Sequence, residues 1–284
     1  MGNGAGGGPR VKVRGLDRGR RAKRGNCKGV TGVLSWAPMR VLGIDIGGSA
    51  IKGAPVDTAT GRHLAGRFRI ETPLQLSPVE MAEAAGMIGA HFRWRGPVGI
   101  GFPGVVHGGT ILTSANLDKK FIGCDAQELF SKALGRPVAI TNDAAAAGLA
   151  EMKFGAGRRF AGKALMLTLG TGIGSVLFFR GALFPCELGH LQMDGRDAER
   201  RVSAAARRRK GLTWKQWGRR LSLYVGTLED LFWPELIIIG GGVSAKHDRF
   251  FKYITTRARL VPAEFLNEAG IVGAALWAEQ ERRS

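Results

Sequence analysis

Arg40-Val41-Leu42-Gly43-Ile44-Asp45-Ile46-Gly47-Gly48-Ser49 is the stretch that decides the fold. Residues 40–46 are short and rich in β-branched side chains, and they run straight into glycines, the pattern of a strand ending at a tight loop. Residues 50–56 read as the return strand, residues 57–61 as a turn, and residues 64–70 as a third strand. The same unit recurs downstream. Residues 165–169 form an apolar run that meets Gly170-Thr171-Gly172-Ile173-Gly174, and residues 175–179 read as its return strand, turning at Arg180-Gly181. Two strand–glycine loop–strand units in one chain predict a duplicated, two-lobed α/β fold.

The segments between these units have helix and strand signatures of their own. Residues 78–92 have helical spacing, with Ser77 as N-cap and Pro78 at the first position. Residues 97–102 form a short strand closed by Pro103-Gly104. Residues 126–134 read as a helix with Gly135 just past its end. Residues 138–141 are a strand running into Asn142-Asp143, and residues 144–152 a helix. A long helix is predicted over 214–231, a strand over 236–239 ending in Gly240-Gly241-Gly242, and a last helix over 271–282.

Charge and composition narrow the function classes. The chain has 284 residues, with 42 Lys and Arg against 23 Asp and Glu, a net charge of +19. Hydrophobic residues make up 44%, enough for a full core. No apolar run reaches the ~18 residues of a membrane span, so no membrane partner is expected. Three cysteines, Cys27, Cys124 and Cys186, are too few and too scattered for a disulfide framework or a four-cysteine zinc site, which points to a reducing, cytoplasmic protein. Residues 1–38 hold +8 of the charge in a Gly-rich, non-periodic segment, read as disordered. Nothing aromatic is interleaved with its basic residues, Arg10 to Lys28, to stack on bases, so nucleic acid is not the expected partner. The reading favours a start at Met39, directly before the first strand.

The chemistry-bearing residues sit at the strand ends. In the first loop, Gly47 and Gly48 let backbone approach phosphate oxygens, Ser49 adds a hydroxyl, Lys52 a positive charge, and Asp45 a ligand for a Mg2+ shell. Alone, such a loop is equally an ordinary hairpin turn. The second loop, with Thr171, Gly172 and Gly174, strengthens the phosphate reading. It is neither a Walker loop, lacking the Gly-Lys-Ser/Thr ending, nor a Rossmann fingerprint, since a strand follows it. Gly241 and Gly242 supply a third open-backbone loop, or a tight strand–helix turn. Asp143, at a strand–helix junction, is placed to accept a hydroxyl proton, while Asn142 is placed to meet a hydroxyl or to cap the helix. Glu187 and His190 stand three apart and can meet adjacent sugar hydroxyls, against the plainer readings of a surface carboxylate and a core histidine.

Taken in order, the motifs DIGGS, PG, AN, ITNDAAAAGLAE, LTLGTGIG, ELGH and GGG resemble the ROK family of sugar kinases, and within it the polyphosphate glucokinase branch. The resemblance runs from Met39 to about Glu279. It implies the two-lobed actin/hexokinase-like (ribonuclease H-like) α/β fold with a central cleft. The small lobe would take residues 39–142, completed by the C-terminal helix 271–284, and the large lobe residues 143–270. It implies phosphorylation of glucose, with mannose as an alternative sugar, at the 6-hydroxyl. Asp143 matches the catalytic base. Gly104, Asn116, Asn142, Glu187 and His190 match sugar-contacting positions. Asp45, Gly47, Gly48, Ser49, Lys52, Thr171, Gly172, Gly174, Gly241 and Gly242 match phosphate- or nucleotide-side positions. Mg2+ and a homodimer are implied as well. The cysteine-rich zinc motif of the ATP-dependent branch is missing after His190, so no structural zinc is expected. Phe121 stands where the polyphosphate branch usually carries Trp.

The donor question returns to charge. Residues 196–220 carry +8. Inorganic polyphosphate bears about one negative charge per phosphate, and a polyanion held by several Lys and Arg gains from counterion release. Polyphosphate is therefore the expected donor, alone or with ATP; the alternatives are an ATP-only hexose kinase and a sugar-responsive regulator. A regulator needs an N-terminal helix-turn-helix, and residues 1–38 have no amphipathic helix to make one.

Overall fold

A computed structural model describes residues 39–71, 76–114 and 117–283. The basic segment 1–38 and Asn116 lie outside the described residues.

In the first half, β1 (Arg40–Ile46) pairs antiparallel with β2 (Ala50–Asp57), Ile46 opposite Ile51, so residues 47–49 form the loop between them. The predicted third strand over 64–70 is instead two, β3 (Arg62–His63) and β4 (Phe68–Glu71), both on β2. Pro55 is the reason. Leu64 N–H donates to the Pro55 carbonyl, but Pro55 has no N–H to return, and the ladder resumes only at Gly53 opposite Phe68. Helix α1 (Pro78–His91) starts as predicted: Ser77 and Glu80 cap each other's backbone N–H, with Pro78 in the first turn. Next come β5 (Val98–Phe102), the small hairpin β6 (Val106–His107) and β7 (Thr110–Ile111), and α2 (Ala126–Leu134), which ends at Gly135 with φ 59°. Strand β8 (Val138–Asn142) leads directly into α3 (Asp143–Phe154). The sheet order is β3-β2-β1-β5-β8, with β5 and β8 parallel to β1.

The second half repeats this plan. Strand β9 (Lys163–Leu169) pairs antiparallel with β10 (Ile173–Phe179) across Gly170-Thr171-Gly172, and β11 (Ala182–Cys186) follows on β10. A two-residue hairpin, β12 (Gln192–Met193) and β13 (Arg196–Asp197), precedes the short helices α4 (Glu199–Val202) and α5 (Ala204–Arg209). Helix α6 (Trp214–Phe232) is amphipathic and buries Trp217, Leu221, Tyr224, Val225 and Leu228. Strands β14 (Leu236–Gly240) and β15 (Arg259–Pro262) lie parallel to β9, giving the order β11-β10-β9-β14-β15. The duplication read from the two glycine loops is thus a duplication of sheet topology.

The last helix, α7 (Ala269–Glu281), is apolar on nearly every side and is buried accordingly. It packs on β1, β5 and β8 and against α3. Side chains of α3, α7, β9, β10 and β14 form one buried cluster, Val176, Phe178, Ile238, Ile271 and Leu276 among them. The first sheet buries a second cluster against α1 and α2, and the second sheet a third against α6. No described helix is long and apolar enough to cross a membrane.

Candidate active site

Both glycine loops open onto one cavity of about 290 Å³, and Asp143 lies in its wall. Of the residues singled out from sequence, Gly47, Gly48, Gly104, Asn142, Asp143, Thr171, Gly172, Gly174, Glu187, His190 and Gly241 line it. The strand-to-helix step at 142–143 sets the Asp143 carboxylate in the first turn of α3. Asn142 is the N-cap: its Oδ1 accepts the N–H groups of Ala144 and Ala145 at 2.9 and 3.1 Å, and its Nδ2 donates to the Gly104 carbonyl at 3.1 Å. The capping reading is therefore realised, and the same side chain ties the Pro103-Gly104 loop to the start of α3. Asp143 Oδ1 accepts the Ala144 N–H at 2.7 Å.

The electrostatics of this carboxylate are unusual. Burial pushes Asp143 up to about 7, and the nearby Asp45 and Glu187 carboxylates add to the rise. Burial also raises Glu187, which His190 draws down and Glu199 pushes up. A carboxyl group poised near neutrality at the end of a strand can take a proton from a hydroxyl at physiological pH.

Glu187 and His190 reach the cavity because Ser175 on β10 pins their segment. Its Oγ accepts the Leu188 N–H at 2.9 Å and donates to the Cys186 carbonyl at 2.7 Å. His190 Nδ1 meets Asp197 Oδ2 on β13. His190, Asp197 and Glu199 bring ligand atoms close enough together to hold a cation, but only with one nitrogen and two carboxylates. Cys124 and Cys186 are free thiols.

Four sequence-selected residues stand off the cavity wall or face elsewhere. Asp45 Oδ2 accepts Lys52 Nζ at 3.1 Å, and the carboxylate packs against Gly270 at the start of α7. Ser49 is exposed on the first loop. Gly242 lines a neighbouring basin of about 350 Å³ that shares Gly170 and Thr171 with the cleft and is walled by Arg207, Arg208, Trp214 and Lys246. Gly241 has φ 80°, a conformation that favours glycine, and a Cβ there would run into the Leu169 backbone. Sequence reasoning missed Thr113, Thr168 and Glu199 in the cleft; it flagged Arg207 and Arg208 as part of the basic run 196–220, but not that they join Trp214 and Lys246 in one basin beside the cleft. Glu199 is the most legible of these in hindsight, since Asp197 and Glu199 follow a Gly195 turn shortly after Glu187 and His190.

Two sheets built on the same plan, each with a glycine-loop hairpin opening onto a shared cleft, are the architecture of hexokinase-like sugar kinases. The chain belongs to the ROK family, whose sequence profile matches residues 41–208. It is 42% identical over 237 residues to the polyphosphate glucokinase of Mycobacterium tuberculosis (strain H37Rv), an alignment spanning 83% of this chain and 89% of that protein. The crystal structure of inorganic polyphosphate/ATP-glucomannokinase from Arthrobacter sp. strain KM superposes with a TM-score of 0.82 at 45% identity, covering 85% of this chain and 99% of that one. A ROK family glucokinase from Streptomyces griseus, solved with glucose and AMPPNP, gives a TM-score of 0.73 at 25% identity over 85% of this chain and 100% of that one.

Proposed function

We propose that this protein transfers a phosphoryl group from inorganic polyphosphate, and from ATP as a second donor, to the 6-hydroxyl of glucose. The observation that carries the reading is Asp143: a carboxylate pushed to about 7, in the wall of a cleft onto which two glycine loops open. The names of relatives that are 42% and 45% identical across more than four-fifths of the chain support the same activity.

In this reading glucose lies between the Gly104 loop and the Glu187–His190 segment, with Asn116 as a further contact. Asp143 accepts the proton of the attacking hydroxyl as that oxygen meets the terminal phosphorus in line, and the leaving phosphate chain departs along the Thr171–Gly174 side. Backbone N–H groups of the two loops are preorganised donors for the transferring group, so positioning and electrostatics supply most of the rate. The donor's chain continues into the basin of Arg207, Arg208 and Lys246, whose charge suits phosphates.

The carboxylates of Asp143, Glu187 and Glu199 in the cleft wall, with Asp45 behind it and close enough to raise Asp143, give the cleft a hard-oxygen character that suits Mg2+. Asp45 would hold it on the donor side, through water or a phosphate oxygen. When bound, Mg2+ would neutralise charge on the phosphate oxygens.

We further propose two lobes, residues 39–142 with α7 and residues 143–270, that close on glucose and exclude water, and a homodimeric assembly, measurable by light scattering. The deciding experiment is a coupled assay for hexose 6-phosphate, with long-chain polyphosphate or ATP as donor and glucose or mannose as acceptor. Turnover of glucose with polyphosphate is expected. Turnover with ATP alone would replace this reading with that of an ATP-only hexose kinase, and no turnover with any pair would point to a sugar-binding regulator.

A further inference from the structure

We propose that a second basin, enclosed by Arg196, Arg201, Lys210 and Arg220, is an anion site distinct from the transfer cleft, and that it anchors the distal stretch of a long polyphosphate donor while the chain end reacts. This deepens the donor reading above and rests on it.

The basin has a volume of about 290 Å³ and a single acidic residue, Asp194, in its wall. Its cations come from four elements: Arg196 from β13, Arg201 from α4, Lys210 from the residue closing α5, and Arg220 from α6. A basic surface that is merely solvated spreads its charges apart; here the fold converges four of them on one concavity. Arg201 Nη1 is engaged, paired with Asp194 and donating to the Met193 carbonyl at 3.2 Å. The side chains of Arg196, Lys210 and Arg220 have no hydrogen-bond or ion-pair partner among the described residues. Desolvation, then the charges of Arg220, Arg209, Arg201 and Arg196, pull the Lys210 ammonium below its ordinary value. A bound polyanion relieves that repulsion.

The basin also lies on a route from the chemistry. Arg207, in the basin adjoining the cleft, and Lys210 are three residues apart at the end of α5, hence roughly one helical turn apart on the same face. Gly170 and Thr171 join the cleft to the Arg207–Arg208–Lys246 basin, and Lys210 carries the positive charge onward to Arg201, Arg196 and Arg220. None of the residues lining the distal basin is aromatic, so it lacks the stacking platform that a single-stranded nucleic acid would use. A chain of phosphates fits better than a lone phosphate, because three unpaired cations need several charges to satisfy them.

The test is the double variant Lys210→Gln/Arg220→Gln, with Lys210→Arg as a charge-preserving control. Direct binding and steady-state kinetics would be measured with long-chain polyphosphate, tripolyphosphate and ATP across a salt series. For long chains, Kd and KM should rise about tenfold and the log–log salt slope should fall by about one per lost contact, whereas tripolyphosphate and ATP change less than twofold and Lys210→Arg behaves as the parent. Unchanged long-chain affinity would overturn the anchor. So would an equal loss for all three donors, which would merge the basin with the transfer site, or full competition by millimolar inorganic phosphate, which would make it a single-ion site. If the parent binds long chains through this basin but does not turn them over, the donor reading fails and the anion site stands.

Discussion

His190 and Asp197 face each other at the cleft mouth, with Nδ1 3.2 Å from Oδ2. Asp197 Oδ1 also accepts Gln192 Nε2, which donates to the His190 carbonyl at 3.2 Å. The carboxylate, held below its usual range by His190 and Gln192, fixes the imidazole with Nδ1–H toward Asp197 and leaves Nε2 open for the sugar hydroxyl that the proposed function places there. In the proposed function Asp197 touches no reacting atom and acts only by positioning His190. Asp197→Ala is expected to raise the glucose KM about tenfold, with a smaller effect on kcat and none on donor KM, and Asp197→Asn to recover part of the loss. An equal fall in kcat for every sugar and an unchanged KM would mean that His190 needs no orientation.

A pH profile follows from the role proposed for the carboxyl at 143. In that role as general base it works only when ionised, and its ionisation in the fold is centred at about 7. Activity, as kcat/KM for glucose, is therefore expected to be low at pH 5.5, half-maximal near pH 7 and level above about pH 8. A flat profile between pH 5.5 and 8 would remove Asp143 as the titrating base.

Asp143→Asn separates catalysis from stability. Loss of the proposed base is expected to lower kcat by about 10³-fold or more while glucose still binds. Stability should move the other way. The folded-state value of about 7 lies above the ordinary 3.8. Between these values the native state keeps a proton that the unfolded chain has released, so Asp143 costs stability increasingly as pH rises from about 4 to about 7. The amide removes that cost, and thermal melts at pH 8 are expected to show a gain of about 2–4 °C that disappears near pH 4. A variant less stable than the parent at pH 8 would contradict the desolvated setting of this carboxylate.

What was legible in the sequence was local. The two glycine-loop hairpins declare themselves through β-branched runs that stop at glycine, and Asn142-Asp143 through an N-cap pair ahead of small helical residues. The strand break at Pro55 was less visible, because the missing donor matters only once the third strand is known to lie on that side of β2. Thr113, Thr168 and Glu199 enter the cleft from a loop, a strand end and a one-turn helix whose placement depends on packing between elements distant in sequence. The basic run 196–220 was visible as charge, but only the fold divides it between the Arg207–Arg208–Lys246 basin and the distal one.

The seating of Asp143 depends on how closely α7 approaches α3. At Gly273 on α7 a Cβ would collide with the backbone of Ala146, which lies less than one turn from Asp143. Similar contacts hold α7 to the first sheet, where Gly43 meets Ile271 O and Gly99 meets Ala274 O. Backbone cannot yield as a flexible side chain can, so Gly273→Ala must drive the helices apart. Such a shift also moves the start of α3 away from the cleft. The expected outcome is a loss of about 3 kcal/mol or more by urea unfolding, with kcat falling along with it at temperatures where the variant is still folded. Gly226→Ala on α6 is the control, since a Cβ there has open space around it. That change should leave stability level or raise it by up to about 1 kcal/mol through helix propensity alone. If Gly273→Ala behaved like Gly226→Ala, the close α3–α7 contact could not be what holds the carboxylate in place.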